Sequence, residues 1–364
     1  MTNPSITGGT SLEQRLGAYV LPGAAPDPRA ALADAHVARE LGLGALWIGE
    51  RYDSKDLPSL AGALSQAAEG LGIGAAVTHP YVRHPVVLAS MGQTLQALTG
   101  GAFRLGLGRS ADWRWKAYGL PSPTRRALGD MASILRRLWS GETVEYEGPL
   151  GTFASLRLPQ VIELPPPPLL LAAVGPKSLE LAGAAYDGVI LHPLLTVQGV
   201  ADSLAHVRRG AERSGRDPDA VHCVAVVVTA PGLDERQTAV AVQARGAGYL
   251  AVPGLGDSIA EANGWAASDL AAFRAQSLLS SPRAGAAGKG LTPEEMVAAA
   301  RALPEDWFTS GAAIGSPMEC VARLDDYVEA GVDEIILHGA RMDQLGPLLG
   351  AARDRGQAHE RRLG

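Results

Sequence analysis

Charged and imidazole side chains directly follow several apolar segments of this sequence. Glu50 and Arg51 come after ALWIG, His79 after IGAAVT, His192 after GVIL and His338 after DEIIL. Carboxylates and imidazoles can exchange protons with a bound molecule. Arginine stays protonated and binds anions instead. Glu50 is therefore a candidate general base, or a partner of Arg51 in an ion pair that orients a substrate. Each of the three histidines is a candidate for proton transfer or a structural hydrogen-bonding residue.

A glycine-containing segment, GLGRS, follows the apolar run FRL and ends with Gly108, Arg109 and Ser110. Its two glycines would allow a ligand to approach the backbone closely. The guanidinium of Arg109 suits a phosphate or a carboxylate. The alternative is that Arg109 pairs with an acidic neighbour at the edge of the fold.

A second glycine-containing segment consists of Gly175, Pro176, Lys177 and Ser178, and it opens a predicted helix. The first N–H groups of a helix and the positive end of its dipole favour a bound anion. Lys177 would add a charge and Ser178 a hydroxyl group. This segment is therefore a candidate phosphate site, although a glycine before a helix is more often only a cap.

Apolar segments alternate with helical patterns along most of the chain. Strands are predicted at 16–21, 45–48, 73–78, 103–107, 169–174, 188–191, 221–228 and 333–337. Helices are predicted at 28–41, 57–68, 86–98, 123–140, 175–185, 197–214, 317–330 and 345–353, with another that starts near 233. Eight strands alternating with helices favour a (β/α)8 barrel over a doubly wound sheet. In such a barrel the strands' carboxyl ends, and therefore the candidate residues above, meet at one face.

Two stretches interrupt this alternation. Residues 141–168 contain short extended pieces, which suggest a hairpin, and end in four prolines. Residues 246–315 contain several short helical patterns, and a long irregular insertion of this kind is usually functional. The prediction is a single barrel domain over 1–364 with these two insertions, and with a first strand that ends at Pro22-Gly23.

Composition excludes several classes of partner. The chain has 364 residues, 46% of them hydrophobic, and a net charge of −6, which argues against binding to nucleic acid or to an anionic membrane. Cys223 and Cys320 lie far apart, so they are interpreted as buried thiols and no metal site is expected. No apolar run reaches membrane-spanning length. The N-terminus lacks the features of a signal peptide, and a cytoplasmic protein is expected.

Four segments of the sequence resemble, in the same order, the bacterial luciferase-like monooxygenase superfamily. They are GLGALWIGER, VTHPYVRHPVVLASMGQTLQALTGGAFRLGLGRS, PPPLLLAAVGPKSLELAGAAYDGVIL and GSPMECVARLDDYVEAGVDEIIL. The resemblance covers about residues 16–340. It is closest to the branch that uses the deazaflavin coenzyme F420, although members that use flavin mononucleotide (FMN) share much of the pattern.

The resemblance implies a cofactor site. The family stacks its ring against a bulge on the third strand, and alignment of GAAVTHPY places a non-proline cis peptide bond between Ala76 and Val77, next to Thr78. The small residues Gly74, Ala75 and Ala76 would let the flat ring approach. The family places its phosphate after the fifth strand, at the segment that begins with Gly175.

The sequence departs from the family at the end of the second strand. Many deazaflavin-dependent relatives have an aspartate-histidine pair there, and the histidine is often assigned to proton transfer. This chain has Glu50 and Arg51 instead. A mechanism that relies on that histidine therefore cannot be transferred to it.

The resemblance implies an oxidoreductase that transfers a hydride between C5 of coenzyme F420 and a small organic substrate. One alternative is an FMN-dependent monooxygenase that uses oxygen and a separate flavin reductase. Another is a non-catalytic flavin-binding protein on the same fold. The resemblance also implies a homodimer formed by the helices that follow the second and third strands.

Overall fold

The structure is a computed structural model that describes residues 11–21, 27–51 and 54–363. The predicted turn at Pro22-Gly23 lies outside these residues. The described part of the chain contains eleven strands. They are β1 (Leu16–Tyr19), β2 (Ala45–Ile48), β3 (Gly72–Thr78), β4 (Phe103–Leu107), β5 (Val144–Gly148), β6 (Gly151–Leu156), β7 (Leu169–Ala173), β8 (Gly188–Leu191), β9 (His222–Pro231), β10 (Ala312–Gly315) and β11 (Glu334–Gly339).

Eight parallel strands form a closed barrel. Their order around it is β1, β2, β3, β4, β7, β8, β9 and β11, and pairing of β8 with β9 and of β11 with β1 closes the ring. The predicted (β/α)8 barrel is therefore confirmed, and the doubly wound sheet is excluded.

Helices surround the barrel and fill the second insertion. They are α1 (Leu12–Arg15), α2 (Ala30–Leu41), α3 (Leu57–Ala67), α4 (Pro85–Leu98), α5 (Asp112–Ala117), α6 (Arg125–Trp139), α7 (Pro176–Ala185), α8 (Val197–Arg213), α9 (Glu235–Thr238), α10 (Arg245–Leu250), α11 (Leu255–Asn263), α12 (Ala267–Arg274), α13 (Ser277–Ser280), α14 (Pro293–Ala300), α15 (Asp306–Ser310), α16 (Pro317–Glu329) and α17 (Gly346–Leu363). A π-helical turn, Ala239–Ala244, joins α9 to α10.

The two interruptions have different structures. The first contains the antiparallel hairpin of β5 and β6, as expected. The second contains α10 to α15, which share a hydrophobic cluster separate from the main core. It also contains β10, a strand that the sequence analysis missed because its four residues, AAIG, show no alternation. β10 pairs with the end of β9, which is why β9 extends to Pro231 instead of ending at Val228.

The lower interior of the barrel is filled by Trp47, whose indole N–H donates to Glu334 Oε1 at 3.1 Å. A Cβ atom at Gly74 would lie 2.2 Å from Cε3 of this indole. The small residue at position 74 therefore makes room for Trp47. The interpretation that Gly74 lets a cofactor ring approach is wrong.

None of the helices in the described part of the chain is both long enough and apolar enough to span a membrane. Within the same residues, no three His, Cys, Asp or Glu side chains are grouped in a way that could hold a metal ion. Cys223 and Cys320 are buried free thiols, as expected.

Replacing Gly74 with alanine is expected to destabilise the barrel by about 1–3 kcal/mol, because the new methyl group must displace a packed indole. Urea denaturation followed by tryptophan fluorescence measures this change. Gly350→Ala is the matched control, because no atom lies within 4 Å of a Cβ built there, in the interior of α17. This control should be neutral or slightly stabilising. Equal stability of the two variants would contradict the packing argument.

Candidate functional site

The carboxyl ends of the barrel strands surround a cavity of about 940 Å³. Parts of the second insertion, including α10 and residues 252–258, also border it. The cavity therefore lies where the sequence analysis expected the site. All but one of the predicted site residues border it: Glu50, Arg51, Ala76, Val77, His79, Gly108, Arg109, Ser110, Gly175, Pro176, Lys177, Ser178 and His192. The exception, Thr78, is fully buried behind the cavity wall.

The floor of the cavity includes a bulge in β3. The pairing of β3 with β4 shifts register between Ala75 and Thr78, and the Ala76–Val77 peptide bond is cis, as expected. Three groups on neighbouring strands bind this segment. The Tyr19 hydroxyl donates to Ala76 O at 2.9 Å, the Glu50 N–H donates to Val77 O at 3.3 Å, and the Gly108 N–H donates to Thr78 O at 2.9 Å.

Val77 explains the glycines of β4 and the loop after it. A Cβ atom at Gly108 would lie 2.5 Å from Val77 Cγ2, and one at Gly106 would lie 2.2 Å from Ala75 O. These glycines therefore accommodate the bulge. The sequence analysis assigned both glycines to ligand approach. Gly106 does not border the cavity, whereas Gly108 does, so the assignment of Gly108 stays a prediction.

Glu50 forms an ion pair with Arg83, not with Arg51. Arg83 Nη1 donates to Glu50 Oε2 at 2.8 Å, and a second bond joins Arg83 Nη2 to Glu50 Oε1. The Thr78 hydroxyl also donates to Glu50 Oε2. Three donors hold this buried carboxylate in place and use most of its hydrogen-bonding capacity. The structure thus argues against both earlier interpretations, the Glu50–Arg51 ion pair and the general base.

Arg83 remains charged although it is largely buried. Burial disfavours the guanidinium cation, but the hydrogen bonds and charges of Glu50 and Asp56 outweigh this effect and raise the pKa of Arg83 above its ordinary value. Asp56 Oδ1 lies 3.2 Å from Arg83 Nη2, and Asp56 Oδ2 caps α3 by accepting from the Ser59 N–H. The ion pair therefore connects β2, β3 and the start of α3.

His79 is buried, His192 is half-buried, and both imidazoles are neutral. Burial lowers the pKa of each imidazole to about 4. The Nδ1 atoms lie 2.8 Å from carbonyl oxygens, those of Gly108 and Pro193 respectively. A carbonyl only accepts, so each Nδ1 carries the proton and each Nε2 is an acceptor.

His338 belongs to a polar cluster at the β1 and β11 side of the cavity. Its Nε2 lies 2.8 Å from the Tyr249 hydroxyl and 3.0 Å from Arg245 Nη1. Its ring makes an edge contact with Tyr19 at a centroid distance of 4.8 Å. Burial, followed by the charge of Arg245, keeps the pKa of His338 well below its ordinary value. The imidazole is therefore neutral.

Lys55 also borders the cavity, and its ammonium group donates to Leu21 O. Burial, with the nearby charge of Arg51, lowers the pKa of Lys55 to about 8. The side chain is therefore a cation at neutral pH that has lost much of its hydration.

On the opposite side of the barrel, α7 begins at the cavity. Gly175 precedes it, no side chain caps the helix, and Pro176 occupies the first turn. Lys177, Ser178 and the nearby Ser258 also border the cavity. The exposed start of this ten-residue helix, with a lysine and two hydroxyl groups beside it, fits a phosphate group.

Arg109 forms an ion pair with an acidic neighbour, which was the alternative to binding a phosphate or a carboxylate. Its Nη2 lies 3.1 Å from Asp112 Oδ1, and both side chains are more than half exposed at the barrel rim.

Of the aromatic residues that follow Arg109, Trp115 is buried and donates to Arg109 O at 2.7 Å, whereas Trp113 borders the cavity. Trp115 therefore packs the loop. His84 caps α4 by accepting from the Val86 N–H, which is a structural role.

The cavity has a strong positive balance although the whole chain carries a net charge of −6. In the described part of the chain, eight basic side chains border it, with two carboxylates, Glu50 and Asp112, each paired with an arginine. The basic residues are Arg51, Lys55, Arg109, Arg114, Arg125, Lys177, Arg245 and Lys289. The cavity is therefore suited to anionic ligands.

Sequence reasoning missed Arg83, Lys55, Arg245, Tyr19 and Tyr249. Arg83 was visible only as part of the segment VTHPYVRHP. Arg245 and Tyr249 lie in a part of the chain without a readable motif. Lys55 offered a weak signal, because lysine occurs only at positions 55, 116, 177 and 289. Side chains brought together from different strands leave no spacing pattern in the sequence.

Comparison with known proteins identifies relatives over most of the chain. The family model described as luciferase-like monooxygenase matches residues 7–334. The 5,10-methylenetetrahydromethanopterin reductase of Methanolobus tindarius is 27% identical over 310 residues, which cover 83% of this chain and 87% of the relative.

Solved structures share the fold. The coenzyme F420-dependent tetrahydromethanopterin reductase of Methanopyrus kandleri superimposes with a TM-score of 0.73 at 21% identity, covering 94% of this chain and 97% of the other. The EDTA monooxygenase of Chelativorans sp. BNC1 superimposes with a TM-score of 0.66 at 15% identity, covering 95% and 94%.

The Glu50→Gln substitution is expected to reduce the free energy of unfolding by about 3–5 kcal/mol, because it leaves Arg83 without its buried countercharge. Asp56→Asn removes the exposed partner of the same arginine and keeps the helix cap, so its expected cost is below about 1 kcal/mol. Chemical denaturation of both variants measures the difference. A smaller loss for Glu50→Gln than for Asp56→Asn would contradict the assigned role of the ion pair.

Proposed function

Because this chain is an oxidoreductase that belongs to the luciferase-like monooxygenase family, we propose that it uses coenzyme F420 to transfer a hydride to or from a small organic substrate. The observation that carries this proposal is the pairing, across one cavity, of the β3 bulge with the uncapped start of α7. A ring at the bulge and a phosphate at the helix are the two parts of a flavin-type cofactor. Relatives named as F420-dependent reductases favour the deazaflavin.

The residues present fit such a group. Ala76 and Val77 would contact the ring, while Gly175, Lys177 and Ser178 would bind its phosphate. The remaining basic residues at the rim suit an anionic tail. When bound, the deazaflavin supplies a carbon that accepts or donates a hydride.

The protein's own contribution is to position the cofactor, to exclude water and to transfer a proton to or from the substrate. Tyr19, Glu50 and Gly108 fix the bulge through the hydrogen bonds described above. The second insertion covers the cavity and would limit the access of water to it. Glu50 is committed to Arg83, so we assign the proton instead to an imidazole, His192, whose Nε2 is an acceptor at the cavity wall.

An FMN-dependent monooxygenase with a separate flavin reductase is the second candidate. It is supported by the monooxygenase among the structural neighbours. A non-catalytic flavin-binding protein is disfavoured, because a storage site has no need of the polar and cationic groups that surround this cavity.

We also propose that the chain forms a homodimer through α3 and α4. These helices border an apolar groove that includes Met91 and Leu95. Val87 and Leu98 on α4 are 51% and 46% exposed, an unusual state for large apolar side chains on one helix.

Equilibrium binding of oxidised F420 and, in parallel, of FMN tests the cofactor. Fluorescence quenching measures both titrations. The expected result is micromolar or tighter binding of F420 and weaker binding of FMN. Lys177→Gln should weaken F420 binding by about 10- to 150-fold, because a hydrogen bond to a charged group contributes about 1.5–3 kcal/mol. Lys116→Gln, an exposed lysine that does not border the cavity, is the control.

Two outcomes would contradict this proposal. A clear preference for FMN would transfer the assignment to the oxygen-dependent monooxygenase. Failure to bind either cofactor would remove the flavin-type site altogether.

A further inference from the structure

The β1, β2 and β11 side of the cavity contains a second group of donors, separate from the candidate phosphate site at α7. It consists of Arg51, Lys55, Arg245, Tyr249 and His338, and we call it the inner cluster. In the ring of barrel strands β1 lies four places from β7, which precedes α7, so the two sites face each other across the barrel. A phosphate held at the start of α7 would therefore lie on the other side of the cavity from the inner cluster.

One donor in this cluster lacks an acceptor. Arg245 donates to His338 Nε2 at 3.0 Å, and a guanidinium group has no lone pair to offer in return. Nε2 must therefore accept, and the neutral ring carries its proton on Nδ1. This Nδ1 is buried and has no hydrogen-bond partner among the described residues. Because this atom has less than 1 Å² of accessible surface, it lies behind the cavity wall, and the cluster's contacts with a ligand come from its cations.

The cluster has three cations, of which Lys55 is close enough to Asp34 to feel its opposite charge. Arg245 donates only to His338 and to Ala241 O in the described hydrogen bonds. Within residues 11–21, 27–51 and 54–363, no carboxylate forms an ion pair with Arg51, Lys55 or Arg245. Glu50, the acidic residue nearest in sequence, is bound to Arg83. Three cations that border one cavity form a site that attracts an anion.

The cluster is also close to the expected position of the cofactor ring. Tyr19 connects the two features, because its hydroxyl donates to Ala76 O at the bulge and its ring contacts His338. A group bound by the inner cluster would therefore lie one side chain away from the bulge. That distance suits a substrate.

We propose that the inner cluster binds a carboxylate group of the substrate, with Arg245 and Arg51 as its principal donors. The inference rests on the proposed function, since it identifies the substrate class of the same cavity. Planar carboxylates match the forked guanidinium, and such charge-assisted bonds are among the strongest in proteins. The substrate is thus an organic acid whose reacting carbon lies near its carboxylate.

Acetate and its neutral analogue acetamide are the probes, each titrated by calorimetry at millimolar concentration into the full chain. Binding of acetate should be at least about tenfold tighter than binding of acetamide, because only the anion gains charge-assisted bonds. Arg245→Gln should abolish this preference and Arg245→Lys should restore part of it. Arg236→Gln, which removes an exposed arginine outside the cavity, should leave it unchanged.

The same titration in the presence of saturating F420 separates substrate from cofactor. Acetate should still bind, because the cluster and the phosphate site are separate. Equal binding of acetate and acetamide to the unmodified chain would overturn the proposal, even if Arg245→Gln does not fold. Displacement of acetate by F420, or unchanged acetate binding by folded Arg245→Gln, would overturn it as well.

Failure of this proposal is distinguishable from failure of the proposed function. Acetate binding can be measured without any cofactor, and F420 binding can be measured without acetate. A chain that binds F420 but shows no preference for acetate retains the proposed function and loses only the carboxylate site.

Discussion

The buried ion pair between Glu50 and Arg83 is the interaction on which the site depends. Glu50 follows β2, accepts a hydrogen bond from Thr78 at the end of β3, and accepts two more from the terminal nitrogens of Arg83, which lies in the loop before α4. Its backbone N–H also binds the Val77 carbonyl. One carboxylate residue therefore fixes the ends of two strands and the bulge between them. A buried pair of this kind is costly to disrupt, because each charge was removed from water when the chain folded.

The bulge in β3 in turn determines which residues can pack around it. Val77 projects against the β4 side of the barrel, and Gly106 and Gly108 leave the space that the bulge requires. Tyr19 binds the Ala76 carbonyl and carries the connection to His338. The cavity is consequently built on a floor held from three strands, with a candidate phosphate site on one side and the inner cluster on the other. Positive charge at both sides favours a ligand, or two ligands, with anionic ends.

The sequence predicted the barrel well because its strands are short apolar runs bounded by glycine, and β2, β4 and β8 occur within the predicted limits. It also located the cis peptide bond, through the resemblance of GAAVTHPY to a family pattern. It could not predict the partner of Glu50, because Arg51 is adjacent in sequence whereas Arg83 becomes adjacent only when β2 and β3 pair. For the same reason Gly74 was assigned to a ligand, when its actual neighbour, Trp47, comes from the adjacent strand β2. The strand β10 was too short to give a pattern.

The most direct test of the account is a crystal structure of the chain with oxidised F420. The account predicts that the deazaflavin ring lies against Ala76 and Val77, that the phosphate contacts the start of α7 at Gly175 to Ser178, and that the inner cluster remains open to a second molecule. A ring bound outside the barrel, or a phosphate bound by Arg245 and His338, would contradict it.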